Sequence, residues 1–165
     1  MGLTIIGNIF NCSGYAIHTR KTVNALNEIG VDVRLDTPKP QHWERLCTDA
    51  EFNMIEKPFN HNDTSIMIAQ PQFWRFALAE KPANFYGFLV FEGDKIPNYW
   101  IEYLLDERVD KILVPSKHTK KAIMNSLAAY HKNTDELLTV NKIEIIPHGY
   151  DSAKLYPEKN AKKRI

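Results

Sequence analysis

Two carboxylates close the most apolar stretch of this chain. Glu92-Gly93-Asp94 follows Phe85-Tyr86-Gly87-Phe88-Leu89-Val90-Phe91. A run of that kind reads as a buried strand, so residues just past its end project into whatever crevice lies there. Carboxylates in such a place exchange protons or bind hydroxyls. The plainer alternative is helix entry, where acids favour the N-terminus of a helix starting near Pro97. A second candidate is Asn11-Cys12-Ser13-Gly14-Tyr15, which joins a β-branched run to a helical pattern. Free N–H groups and the helix dipole draw anions to that kind of junction. Gly14 then either lets a phosphate approach the backbone or supplies a positive φ to a tight turn. His18 follows one helical turn later and either touches a ligand of that loop or is an ordinary helix side chain.

Several other chemistries lack their residues. The six histidines, His18, His42, His61, His118, His131 and His148, do not pair with one another or with a cysteine at metal-ligand spacing. Asp-x-Asp does not occur, so a metal-held diphosphate is not expected, and no metal ligands are assigned. A phosphate-binding G-x-x-x-x-G-K-[ST] and a nucleophile G-x-S-x-G are both missing. Cys12 reads as a small space-filler. Asp36 lies 22 residues after Gly14, where a dinucleotide fold carries its ribose acid, yet Gly7 and Gly14 are the only glycines between residues 3 and 29. A nicotinamide-dependent oxidoreductase is therefore the weakest reading. Trp43, Trp74 and Trp100, with Phe73 and Phe76, read first as core and second as the wall of a sugar or lipid site.

These residues need elements to hold them, and the chain alternates strand and helix patterns. Leu3 to Phe10 reads as a buried strand, Tyr15 to Ile29 as a helix, and Val31 to Leu35 as a second strand. Gly30 stands where a left-handed helix cap is wanted. His42 to Ala50 reads as a short helix, and Ser65 to Ala69, Phe85 to Phe91, Lys111 to Val114 and Ile143 to Ile146 as four more strands. Pro97 opens a helix running to about Asp106, and Ser116 caps another from Lys117 to about Tyr130. The pattern predicts an α/β fold: a doubly wound, mostly parallel sheet of about six strands with helices on both faces. Ligands of such sheets bind past the C-terminal strand ends. That singles out Asn11–Tyr15, Gln70–Trp74, Glu92–Pro97, Pro115–Ser116 and Pro147–Asp151.

Composition sets the frame. At 165 residues, 44% hydrophobic and 25% charged, the chain has the make-up of one globular domain. A chain of this size buries roughly 70% of its unfolded surface. A net charge of +1 gives no electrostatic case for nucleic acid or a membrane surface. No apolar run approaches the ~18 residues of a transmembrane helix, and no basic segment of a secretion signal opens the chain. Cys12 and Cys47 read as reduced thiols of a cytoplasmic protein. From Lys154 to Arg164 five cations face one acid, Glu158, which reads as a linker.

Three segments, in order, resemble the N-terminal domain of a GT-B-fold glycosyltransferase of the retaining family 4 type. Ser13-Gly14-Tyr15-Ala16, a long helix and Gly30-Val31-Asp32-Val33 look like that family's opening unit. Phe91-Glu92-Gly93-Asp94-Lys95-Ile96-Pro97-Asn98-Tyr99-Trp100 looks like its acidic segment, with Phe91 where Trp is frequent. Val109-Asp110-Lys111-Ile112-Leu113-Val114-Pro115-Ser116, followed by Ile143-Glu144-Ile145-Ile146-Pro147-His148-Gly149-Tyr150-Asp151, resembles the family's passage into its second domain.

The resemblance implies that residues 1–150 form the acceptor-side domain and 151–165 begin an interdomain linker. It implies a C-terminal donor-binding domain outside this chain. The partners implied are a nucleotide-diphosphate sugar as donor, held mainly by that domain, and a hydroxyl acceptor. Transfer would retain configuration and need no metal. Glu92 and Asp94 would border the reacting sugar, Ser13, Gly14, Tyr15 and His18 would face donor phosphates, and Pro147, His148 and Gly149 would lie at the hinge. This chain alone is expected to be inactive and cytoplasmic, peripheral at the membrane if the acceptor is a lipid, with self-association through its interdomain face as a further expectation. The competing class is a stand-alone Rossmann-like module that binds a sugar or nucleotide, or serves assembly, without catalysis.

Overall fold

A computed structural model of the chain describes residues 2–130 and 142–149. Six parallel strands form one sheet: β1 (Leu3–Ile6), β2 (Val33–Asp36), β3 (Thr64–Ile68), β4 (Asn84–Phe88), β5 (Lys111–Val114) and β6 (Ile143–Ile145). Their order is β2-β1-β3-β4-β5-β6. β1 is in register with both neighbours, Leu3 opposite Val33 and Thr64. Among the described residues five α-helices surround the sheet: α1 (Gly14–Glu28), α2 (Asp49–Glu56), α3 (Trp74–Ala79), α4 (Ile101–Leu105) and α5 (Lys117–Tyr130). The fold is the doubly wound α/β sheet that the alternation predicts.

The period-2 geometry of the strands divides the core in two. Ile5, Leu35, Phe88 and Leu113 point to the face covered by α1 and α2, where Val23 and Met54 meet them. Phe85, Ile112 and Val114 point to the opposite face, against Trp74, Ile101, Leu104 and Ile123 of α3, α4 and α5. Strands apolar on both faces are what a parallel sheet between two helix layers requires.

The differences from expectation lie at element ends and in the short helices. β1 stops at Ile6 rather than Phe10, although the Gly7 amide still donates to the Asp36 carbonyl at 2.9 Å, and a Cβ at Gly7 would strike Thr19 of α1. β4 stops at Phe88, although the Leu89 amide still donates to the Leu113 carbonyl at 2.9 Å. The expected helix at His42–Ala50 is a 3₁₀ turn at Trp43–Leu46, followed by α2. α2 starts at a capping box in which the Thr48 hydroxyl accepts from the Glu51 amide and the Glu51 carboxylate accepts from the Thr48 amide. α3 falls where no helix is expected, and the Pro97–Asp106 helix is a 3₁₀ turn at Asn98–Trp100 leading into α4. Gly30 does take the left-handed conformation, at φ 80°. The linker reading of 151–165 lies outside the described residues.

Candidate functional site

The chain leaves β1 for β2 and then crosses back to β3, so the order reverses between β1 and β3. Loops diverge at such a point and leave a crevice past the strand ends. A cavity of about 630 Å³ lies there, within the roughly 300–1,000 Å³ usual for small-molecule sites. Its wall takes Gly14 and Tyr15 from α1, Gln70 after β3, Phe91 and Glu92 after β4, and Tyr99 and Trp100 beyond them.

The turn before α1 is built from its own side chains. The Asn11 carboxamide oxygen accepts from the Ser13 amide at 3.0 Å and the Ser13 hydroxyl at 2.7 Å. That hydroxyl in turn caps the helix, accepting from the Ala16 amide at 3.2 Å. Ser13 is thereby occupied and lines neither cavity described below. The first two helical amides, of Gly14 and Tyr15, have no intrahelical acceptor. Gly14 does not have a positive φ, which removes the tight-turn explanation for it. A Cβ there would meet nothing within 4 Å. Its missing side chain leaves the cavity wall open at the helix N-terminus.

Tyr15 joins this helix to the loop after β4. Its phenol donates to the Val90 carbonyl at 3.0 Å and accepts from the Val90 amide at 3.2 Å. Burial pushes the Tyr15 phenol up from its usual range, partly opposed by the hydrogen bond it accepts from the Val90 backbone amide. Tyr15→Phe leaves both Val90 groups without this partner, and an expected loss of about 1–2 kcal/mol follows. Urea unfolding checks the loss, and faster hydrogen exchange at the Val90 amide locates it.

Helix α5 holds the same loop from the other side, on one face seven residues apart. Thr119 donates through its hydroxyl to the Phe91 carbonyl, and His118 through Nε2–H to the Glu92 carbonyl, both at 3.1 Å. Asn125 donates to the Asp94 carbonyl at 3.3 Å, and the Ser126 hydroxyl accepts from the Ile96 amide at 2.9 Å. Ser116 caps α5 as the sequence predicts, accepting from the Thr119 amide at 3.1 Å. Four rungs thus fix the backbone from Phe91 to Ile96, and the Glu92 side chain stays free on the cavity wall. Its carboxylate has no hydrogen-bond or ionic partner among the described residues. Glu92 and Asp94 are both exposed, and of the two carboxylates that sequence places together only Glu92 lines the cavity.

A second cavity, about 900 Å³, lies between α1 and the sheet face that it packs against. Ile5, Ile66, Phe88 and Leu113 form its floor, and Ile17, His18 and Lys21 form its wall. Pro147, His148 and Gly149 close one end, and Gly14 and His148 border both cavities. The His18 ring packs edge-on against Phe88 at 4.4 Å and His148 at 4.5 Å. Burial, then the nearby His148, lowers the His18 pKa to about 4. His18 Nδ1 is buried without a partner among the described residues. His18 therefore packs against His148 and does not line the first cavity.

The aromatic residues sort themselves. Trp74 is core, and Trp43 has Phe52 stacked at 5.4 Å and the Lys39 ammonium 4.6 Å above its ring. Phe73 and Phe76 are exposed. Trp100 is buried core and cavity wall at once, and its Nε1–H has no acceptor among the described residues. Among those residues no group of three His, Cys, Asp or Glu side chains gathers to hold a metal ion. No described helix is long and apolar enough to cross a membrane. Cys12 and Cys47 are both free. Asp36 lines neither cavity; its carboxylate sits 3.4 Å from Arg34.

No protein-family model, curated protein or solved structure matches this chain.

Proposed function

We propose that this chain is the acceptor-side domain of a nucleotide-sugar-dependent glycosyltransferase, acting with a donor-binding domain that it does not itself contain. The observation that carries the reading is Glu92. It is an unpartnered carboxylate on the wall of the cavity at the switch point, and Gly14 at the α1 N-terminus lines the same cavity. A carboxylate there binds or orients an acceptor hydroxyl, and the amides beside Gly14 meet the phosphates of the donor. The transfer retains configuration and draws no metal from this chain, and the domain works in the cytoplasm. All of this extends the likeness of the Gly14 loop, the Glu92 segment and the Pro147-His148-Gly149 passage to family 4 enzymes.

The test is a transfer assay on the protein made from its full reading frame, with a panel of nucleotide sugars and hydroxyl acceptors. Glu92→Gln keeps the shape and removes the charge. It is expected to lower kcat at least ten-fold, about 1.4 kcal/mol. Unchanged kcat and KM would remove Glu92 from the site. The 165-residue chain alone is expected to give no turnover, and turnover by a homogeneous preparation would overturn the division of labour.

A further inference from the structure

We infer that the switch-point cavity takes the uncharged or amino-bearing end of a sugar acceptor and turns away phosphorylated or carboxylated sugars. The inference rests on the reading of the cavity as an acceptor site and names the class of acceptor. Glu92 supplies the only full negative charge on the wall, and among the described residues no lysine or arginine lines it. The nearest thing to positive charge is the α1 N-terminus at Gly14, and a helix end amounts to roughly half a charge. Two like charges brought close together repel, more strongly beside a protein surface than in bulk water. A phosphate or carboxylate drawn in beside Glu92 itself, rather than at the Gly14 amides that the donor would occupy, meets that repulsion with no lysine or arginine on the wall to offset it. A neutral hydroxyl meets none, and an ammonium group is attracted.

The rest of the wall suits the same ligand. Phe91, Tyr99 and Trp100 present aromatic surface, which packs against the C–H face of a pyranose and against a cation. Gln70 already accepts from Gln72 at 2.7 Å, so its own amide N–H groups are left to donate. A hydroxyl both donates and accepts, so it serves Glu92 on one side and these donors on the other.

The experiment is an amide-resolved NMR titration of the 165-residue chain with three probes: methyl glucoside, its 2-amino-2-deoxy counterpart, and glucose 6-phosphate. It is run at about pH 8, where imidazoles ordinarily carry no proton. The neutral and amino sugars are expected to shift the amides of Gly93 and Tyr99 and to bind at least ten-fold more tightly than the phosphate. In Glu92→Gln the gap is expected to close to within three-fold, with the neutral sugar still bound. A phosphate that binds the parent chain as tightly as the neutral sugar overturns the inference and leaves the sugar site standing. A gap unchanged in Glu92→Gln also overturns it, since the discrimination then comes from elsewhere. If none of the three sugars binds, the acceptor-site reading itself falls, and the inference with it.

Discussion

Arg20→Met is expected to lower the unfolding free energy by about 3 kcal/mol, the low end of what removing one partner of a buried ion pair costs. Glu51 is fully buried where α2 meets α1. The Arg20 guanidinium clasps it with two bonds, Nε to Oε1 at 2.7 Å and Nη2 to Oε2 at 2.8 Å. Asn24 and the Thr48 amide supply two more, at 3.1 and 2.9 Å. The low end applies because the Arg20 side chain is 38% exposed and partly solvated. Methionine keeps the bulk and leaves a carboxylate held only by two neutral donors.

The same pair predicts an acid dependence. The Arg20 hydrogen bonds hold the Glu51 carboxyl at about 2 instead of the ordinary 4.5, against the opposing effect of burial. Between these values the unfolded chain binds a proton that the folded chain does not. The stabilisation from this group is therefore complete above about 4.5 and is lost as pH falls toward about 2. In Arg20→Met burial is no longer opposed by the guanidinium, so this part of the acid sensitivity shrinks. Urea midpoints of parent and variant at neutral and acid pH measure both effects. Equal midpoints at neutral pH would show that Asn24 and Thr48 satisfy Glu51 unaided.

Gly87→Ala is expected to be as damaging, by about 3 kcal/mol or more, through overpacking. Gly87 lies in the middle of β4, and a Cβ there would stand 2.3 Å from Cζ2 of Trp74 and 2.4 Å from Cη2. The indole cannot step aside. It is fully buried and donates from Nε1 to the Ala69 carbonyl at 3.1 Å. The expected readout is a large fall in the urea midpoint or in soluble yield. In a Trp74→Leu background the same methyl should cost under about 1 kcal/mol, because the ring it strikes is gone, and this double-mutant cycle ties the loss to one contact. A Gly87→Ala cost that stays the same in that background would place the strain in the backbone of β4.

Where chemistry and periodicity agreed, the architecture was legible. The six apolar runs are the six strands, Lys117–Tyr130 is a helix to the residue, and Gly30 is left-handed. α3 escaped because Pro71-Gln72-Phe73-Trp74-Arg75-Phe76 has turn residues at its start and a helix too short to show a period. α2 was signalled by Thr48-x-x-Glu51, a capping-box spacing, although the polar stretch around it obscured the start. Gly87 looks like any strand glycine until Trp74, thirteen residues earlier, folds over it.

Legibility at the site followed the same division. A carboxylate at the end of an apolar run is a local signal, and it located Glu92. That Glu92 and not Asp94 lines the cavity is not a local matter. It depends on which way the loop turns once α5 has taken hold of the backbone at residues 91, 92, 94 and 96. Likewise, the partners of Ser13 and His18 are set by Asn11 on the one hand and by Phe88 and His148 on the other, contacts that no spacing within the first helix encodes.

The ladder from α5 to the Phe91–Ile96 backbone bears on kinetics as well as shape. A wall anchored at four points on one helix face has little freedom to rearrange around a ligand. Association then involves no reordering of the loop, and ligands of different affinity should differ in how slowly they leave more than in how fast they enter. It also confines adaptation. A new ligand preference is reached by exchanging side chains at Gln70, Glu92 or Tyr99 on an unchanged frame, whereas loss of Thr119 or Ser126 would alter the response to every ligand together.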